Sequence, residues 1–183
     1  MSKKTRYVIL GLLHERMLSG YEIKKIIDMQ MKFFWQESYG QIYPVLGELL
    51  GEGLIQEAPD VDCKPSERTR TVYAITAKGR DDVKKWFEAE NEKETVRNEL
   101  LLKLFLSTDD DRLVMQKQLM KLHEQSRKQL ELFREFREEL TQIIALHKNH
   151  SQILDVLSLG ISQQELYCAW SEELIKRYGE SGE

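Results

Sequence analysis

The hydrophobic period changes from helical to strand-like and back within the first ninety residues, and this sequence of changes restricts the possible folds most. In TRYVILGLLHERM, Val8, Ile9, Leu12, Leu13 and Met17 recur at three- and four-residue intervals, with Thr5 placed to cap the helix they predict. The pattern restarts after Ser19-Gly20, where Ile23, Ile26, Ile27 and Met31 form a second stripe. It restarts again in ESYGQIYPVLGELLGEGLI, with Ile42, Val45, Leu46, Leu49 and Leu50 inward and Gly53 in a helix-terminating position. GLIQEAP and TRTVYAIT then read as two short strands, the second alternating Thr71, Tyr73 and Ile75 against Val72, Ala74 and Thr76. Between them, DVDCKPSER is too long for a tight turn and suits an exposed hairpin tip. Thr76 caps a fourth helix, AKGRDDVKKWFEAEN, with Val83, Trp86 and Phe87 apolar.

Three helices, two strands and a helix, in that order, are the plan of a winged helix-turn-helix. The expected fold is therefore mainly α with a small two-stranded β-wing over residues 1–92. An all-helical domain is expected over 93–183. In that second part TVRNELLLKLFLS reads as an apolar helix ended by Ser107-Thr108. Thr108 then precedes three aspartates, suited to the positive end of a helix. From there to about His147 no Gly or Pro intervenes, which predicts one helix roughly 55 Å long at about 1.5 Å per residue. Its apolar positions, Met115, Leu119, Leu122, Ser126, Leu130 (or Gln129), Phe133, Leu140 and Ile143/Ile144, approximate a coiled-coil seam, and packing on a partner is expected. A last helical pair, broken near Gly160, carries Leu166, Tyr167, Trp170, Leu174 and Tyr178.

Charge and cysteine usage narrow the setting. Residues 1–80 carry 12 Lys and Arg against 10 Asp and Glu, whereas 81–183 carry 15 against 21, so a mildly basic front suits contact with a polyanion. The two cysteines, Cys63 and Cys168, are far apart and lack CxxC spacing. A disulfide framework and a structural zinc site are therefore not expected, and a reducing cytoplasm fits. No apolar run reaches bilayer length, and the apolar N-terminal stretch lacks a small-residue cleavage site. His147-x-x-His150 has no Cys or carboxylate at ligand spacing, so no metal or other cofactor is expected. Trp86, Phe105, Phe133, Phe136, Tyr167 and Trp170 fit either dimer core or an aromatic-tolerant pocket. HExxH, P-loop, paired-carboxylate and nucleophile–base patterns are missing, which disfavours an enzyme.

The candidate reading unit is the third helix. A helix-turn-helix brings the N-terminal residues of its second helix to the major groove. Ser38, Tyr39, Gln41 and Tyr43 offer hydroxyl and amide groups there, and first-turn N–H groups attract phosphate. An ordinary core helix with a polar cap is the competing reading. Pro44 falls in the second turn, where it removes the bond to Gly40 and predicts a kinked start. The candidate cations surround this helix: Lys3, Lys4 and Arg6 as an N-terminal arm, Lys24 and Lys25 facing outward, and Lys64, Arg68 and Arg70 in the wing.

These residues resemble the PadR-type winged-helix transcriptional regulators. The resemblance rests on YVILGLL, SGYEIKKII, SYGQIYPVLGELLGEGLI, RTVYAITAKG and VKKWF, in that order and spacing. It covers the first ninety residues closely. The helical remainder resembles the C-terminal dimerisation domain shared with virulence-activator-like members. The resemblance implies a homodimeric bacterial regulator, most often a repressor, on a two-fold-symmetric double-stranded DNA operator. It also implies release by a small aromatic or drug-like effector in some members. By motif position, Ser38, Tyr39, Gln41 and Tyr43 would contact DNA, and Lys64, Arg68 and Arg70 would fall in the wing. Leu119, Leu122, Leu130, Phe133, Leu140, Tyr167 and Trp170 would belong to the dimer helices. The sequence departs from the pattern at Gly47-Glu48, where relatives often have basic residues, and at Leu50-Gly51, where acidic ones are common. An alternative is a winged-helix protein-interaction module without specific DNA binding.

Overall fold

The computed structural model describes residues 4–59, 70–93, 96–142 and 148–180. They form two compact units, Met1–Glu92 and Lys93–Glu183.

In the first unit, α1 (Thr5–Glu15) buries Ile9, Leu10 and Leu13. Leu10 thus belongs to the buried stripe, whereas Met17 lies past the helix end and is exposed. Thr5 is not the cap: Lys4 holds that position, and Thr5 lies buried in the first turn. A two-residue strand, β1 (Leu18–Ser19), precedes α2 (Gly20–Ile26). Ser19 caps α2: its backbone N–H and hydroxyl donate to Glu22 Oε2 at 2.8 and 2.7 Å. The Glu22 N–H returns to Ser19 Oγ at 3.3 Å, so both donors at the helix entrance are satisfied. The helix widens into one π-helical turn, Ile27–Met31, before the chain turns toward α3 (Tyr39–Gly51).

The core of this unit forms where α1, α2 and α3 meet. Ile9, Leu10, Ile23, Ile27, Ile42, Leu46 and Leu49 are almost wholly removed from solvent. Gly53 ends α3 with φ of 70°, the left-handed conformation that glycine adopts without steric cost. The chain then enters β2 (Ile55–Ala58) and β3 (Val72–Ile75). These are antiparallel, with Ile55 opposite Ile75 and Ala58 opposite Val72. The sheet has three strands, not two: β1 adds to the outer side of β3, Leu18 opposite Tyr73, in the order β1-β3-β2. Thr76 caps α4 (Ala77–Glu88), accepting from the Gly79 N–H at 3.1 Å. A Cβ on Gly79 would sit 2.2 Å from the Leu54 carbonyl oxygen, so only glycine allows α4 this close to the strand. Of the three apolar positions expected on α4, only Val83 is buried. Phe87 is exposed, and Trp86 stacks on Tyr7 with ring centroids 4.6 Å apart.

In the second unit, Asn98 caps α5 (Glu99–Leu106) through the Leu101 N–H at 3.0 Å. A short 3₁₀ turn, Asp109–Asp111, leads into α6 (Arg112–Gln142), and α7 (His150–Gly179) follows. Ile143, Ile144 and His147 lie outside the described residues. Helices α6 and α7 run antiparallel, as their cross-links show. The Arg112 side chain donates to Tyr178 O, Gln116 Nε2 to Ile175 O, and Arg134 to Glu165 farther along.

Two expectations change here. Helix α7 is continuous through Gly160, which is buried, so a residue that weakens an isolated helix is tolerated on a packed face. The apolar seam of α6 is also satisfied within the chain. Met115, Leu119, Leu130, Phe133 and Leu140 are buried in a hairpin whose α7 side buries Leu157 and Ile161. Heptad-like spacing on α6 thus pairs with a helix of the same chain. Leu122 and Trp170 are half-buried, and Tyr167 is exposed.

Candidate nucleic-acid interface

Helix α3 separates its residues by face. Ile42, Val45, Leu46 and Leu49 point into the core, leaving Tyr39 and Tyr43 44% and 51% exposed. Their rings stack at 6.1 Å, as expected for neighbours one helical turn apart. Tyr43 also lies over Gly20, where a Cβ would come within 2.8 Å of its ring and 3.2 Å of Leu46. Glycine at the entrance of α2 therefore lets the two helices of the helix-turn-helix approach.

The start of α3 is capped. Ser38 is the cap, and its backbone N–H and hydroxyl both donate to Gln41 Oε1 at 2.8 Å. The Gln41 carbonyl oxygen of the amide is thus occupied locally, and its NH₂ is the group left to face outward. Pro44 sits inside the helix without ending it. The helix begins at Tyr39, behind its cap, and runs continuously through Pro44 to Gly51. The exposed position of Gly40, with no heavy atom nearer than 3.7 Å to a Cβ built there, leaves room on that side.

Four of the candidate cations, Lys4, Arg6, Lys24 and Arg70, are already paired. Lys4 lies 3.3 Å from Glu92. Arg6 sits on α1, not on an arm, 2.7 Å from Glu52 and 3.5 Å from Asp82. Burial works against its charge, but the hydrogen bond and charge of Glu52, with Asp82 and Tyr7, raise its pKa above the ordinary value. The Lys24 side chain is only 15% exposed. It pairs with Asp28 one turn on and lies 5.6 Å from the centroid of the Tyr39 ring. Arg70 is 3.5 Å from Glu22. Burial works against the Glu22 charge, yet the bonds from Ser19 and the nearby Arg70 and Arg16 hold its pKa below the usual carboxylate value. Lys25 is exposed. Lys3, Lys64, Arg68 and Cys63 lie outside the described residues.

Lys24, Lys32, Gln36, Ser38, Tyr39 and Gln41 line an open concavity at the start of α3, with Asp28 and Glu37. Sequence reading missed the buried Glu37. Its Oε1 accepts from the Thr5 hydroxyl at 2.8 Å and from the Trp35 indole N–H at 2.9 Å. A glutamate directly before a helix cap reads as a solvated loop residue, and only the tertiary partner at position 5 distinguishes it.

In the second unit, Cys168 is a free, half-buried thiol whose pKa is pushed up chiefly by burial. Among the described residues no group of three or more His, Cys, Asp or Glu is arranged to hold a metal ion. No described helix is long and apolar enough to cross a membrane. The aromatic candidates fall in both units. Trp86 belongs to the first unit, Phe133 is buried in the hairpin, and Phe105 is 86% exposed.

Each unit matches a known family. Residues 9–85 match the transcriptional regulator PadR-like family, and residues 96–178 match the virulence activator alpha C-term family. The negative transcriptional regulator PadR of Bacillus subtilis (strain 168) is 33% identical over 101 residues, 55% of this chain and 54% of the relative. The match therefore spans about half the length of that curated relative. A crystal structure of Bacillus subtilis PadR in complex with operator DNA is similar in fold, with a TM-score of 0.83. It is 23% identical, and the likeness covers 97% of this chain and 98% of that one. A structure of the same protein in complex with p-coumaric acid gives a TM-score of 0.75 at 24% identity, covering 99% of each chain.

Proposed function

We propose, from the match of residues 9–85 to the PadR-like family of transcriptional regulators, that this chain is a cytoplasmic repressor binding a palindromic operator as a homodimer. The observation that carries this reading is the division of α3. Its inner face is locked into the core, while Tyr39, Gln41 and Tyr43 stand exposed at the end that a helix-turn-helix offers to the major groove. Tyrosine hydroxyls and the Gln41 NH₂ can bond base edges and phosphates. Positive charge comes from the surrounding elements. Ion pairs at exposed positions are worth about 0–1 kcal/mol each, so exchanging a carboxylate for a phosphate costs little.

The dimer surface follows from what the hairpin leaves uncovered. Helix α5 buries none of its apolar residues, and Leu101, Leu102, Phe105 and Leu106 are exposed together with Leu113 and Val114 at the start of α6. An apolar strip of this kind marks an association surface, and a second copy is the occupant that the family premise supports. Leu119, Leu130, Phe133 and Leu140 then support the dimer indirectly, by building the hairpin. A phenolic acid or similar aromatic compound is the proposed effector, by analogy with the relative bound to p-coumaric acid.

The test is selection of a duplex from a randomised library, followed by anisotropy titration at several salt concentrations, with and without p-coumaric acid. A selected palindrome bound far more tightly than random duplex supports the reading. Failure to select any sequence supports the second reading, a winged-helix protein-interaction module. That reading is favoured by one observation, the absence of Lys and Arg from α3.

A further inference from the structure

We propose that Glu37 is a positioning residue for sequence reading: a buried hub joining Thr5 of α1 and Trp35 of the turn fixes the height and rotation of α3. The inference rests on the DNA-binding reading above.

Glu37 is 5% exposed and Thr5 2%. Two donors from different elements converge on one oxygen, Oε1, at 2.8 and 2.9 Å, while Oε2 is buried without a hydrogen-bond partner among the described residues. Burying a carboxyl group with one oxygen unsatisfied is costly, and an apolar side chain would fill the same space without that cost. What an apolar contact lacks is direction. It resists separation of two helices but tolerates sliding and rotation, whereas converging hydrogen bonds define one arrangement.

The location gives that arrangement its consequence. Glu37 immediately precedes Ser38, the cap of α3, and lines the same concavity as Ser38, Tyr39 and Gln41. Trp35 is tied back to the π-helical turn that continues α2 through its backbone N–H, which donates to Met31 O at 2.8 Å. Thr5 lies in the first turn of α1. Through Glu37, both neighbouring helices are referenced to the residue from which α3 starts. Glu37 itself is too buried to meet DNA, so its effect passes through Ser38, Tyr39 and Gln41. A small rotation there would misalign base contacts while leaving phosphate attraction, which depends on charge and distance, almost unchanged.

The experiment compares dissociation constants for the duplex selected by the wild-type chain and for a scrambled duplex, at fixed salt, alongside thermal melting. Glu37→Gln retains an oxygen acceptor for both donors, Glu37→Leu removes it, and Thr5→Val and Trp35→Phe each delete one donor. Glu37→Gln is expected to keep the discrimination ratio within about threefold. The other three are expected to lower it about tenfold or more, with scrambled-duplex affinity changing less than about threefold. Should Glu37→Leu not fold, Thr5→Val and Trp35→Phe decide the matter. An unchanged ratio in folded variants overturns the inference, as does a loss in Glu37→Gln equal to that in Glu37→Leu. A wild-type chain that selects no duplex overturns the DNA-binding reading itself, a result distinguishable from the first because it precedes any substitution.

Discussion

Ser38 places both its backbone N–H and its hydroxyl on a single oxygen, Oε1 of Gln41, at 2.8 Å each. Gln41 is thus both part of the helix cap and a candidate reader, and two substitutions separate the roles. Gln41→Glu keeps an oxygen for Ser38 and adds favourable negative charge to the first turn. Thermal stability should hold while DNA affinity falls, because a carboxylate replaces an outward NH₂ near phosphates. Gln41→Ala should lose the two bonds that Ser38 donates to its side chain, about 1 kcal/mol of stability, and operator discrimination. Melting curves and titrations on operator and random duplex check both, and equal losses on the two duplexes would argue against base reading.

Gly20→Ala tests the approach of α2 to α3. Its Cβ would come 2.8 Å from the Tyr43 ring, which is half exposed and can swing outward, and 3.2 Å from buried Leu46. Overpacking of this kind costs about 1–3 kcal/mol. Displacement of Tyr43 should weaken DNA binding in addition. Tyr43→Ala in the Gly20→Ala background should recover part of the lost stability without restoring binding. No recovery in melting temperature would show that Leu46 takes the strain instead.

Acid should weaken the first unit partly through Glu22. Its folded pKa lies below the ordinary value: burial opposes ionisation, but the Ser19 bonds, Arg70 and Arg16 prevail. A depressed carboxylate stabilises fully above the unfolded value, about 4.3, and that contribution disappears as pH falls through the folded pKa. Between about pH 5 and pH 3 the wild-type melting temperature should therefore fall more steeply than that of Glu22→Gln. Parallel curves would remove Glu22 from the acid response. Arg70→Ala should shift the same curve in the same direction and lower the salt dependence of DNA binding by at most about one phosphate equivalent.

Phe105→Glu with Leu106→Glu should give a folded monomer by light scattering, since neither side chain is buried within the chain. Leu119→Ala should instead cost about 2–5 kcal/mol of hairpin stability, because its side chain is fully enclosed between α6 and α7. A dimer that survives the double substitution would move the interface away from α5.

Features fixed by neighbours in sequence were legible. Gly53 as a left-handed terminator, Thr76 as a cap and the inner stripe of α3 depend on spacing within one or two turns. Features decided by distant partners were not. Thr5 has the side chain of a cap, yet its hydroxyl bonds Glu37, 32 residues away. Leu18 and Ser19 form a strand only because β3 runs beside them. An α6 seam has the same period whether its partner is another copy or α7, so periodicity could not choose. Lys24 looked outward because one face of α2 must, but Asp28 and the Tyr39 ring draw its ammonium back along the surface. Lys4, Arg6, Lys24 and Arg70, read as available from sequence, are therefore better described as cations with partners to exchange.

The hairpin has a mechanical consequence. Helices of 31 and 30 residues zipped side by side make a stiff lever roughly 45 Å long. A tilt of about 5° at one end carries the other end about 4 Å, more than the length of a hydrogen bond. Disturbances too slight to break any contact where they begin can thus make or break one at the far tip.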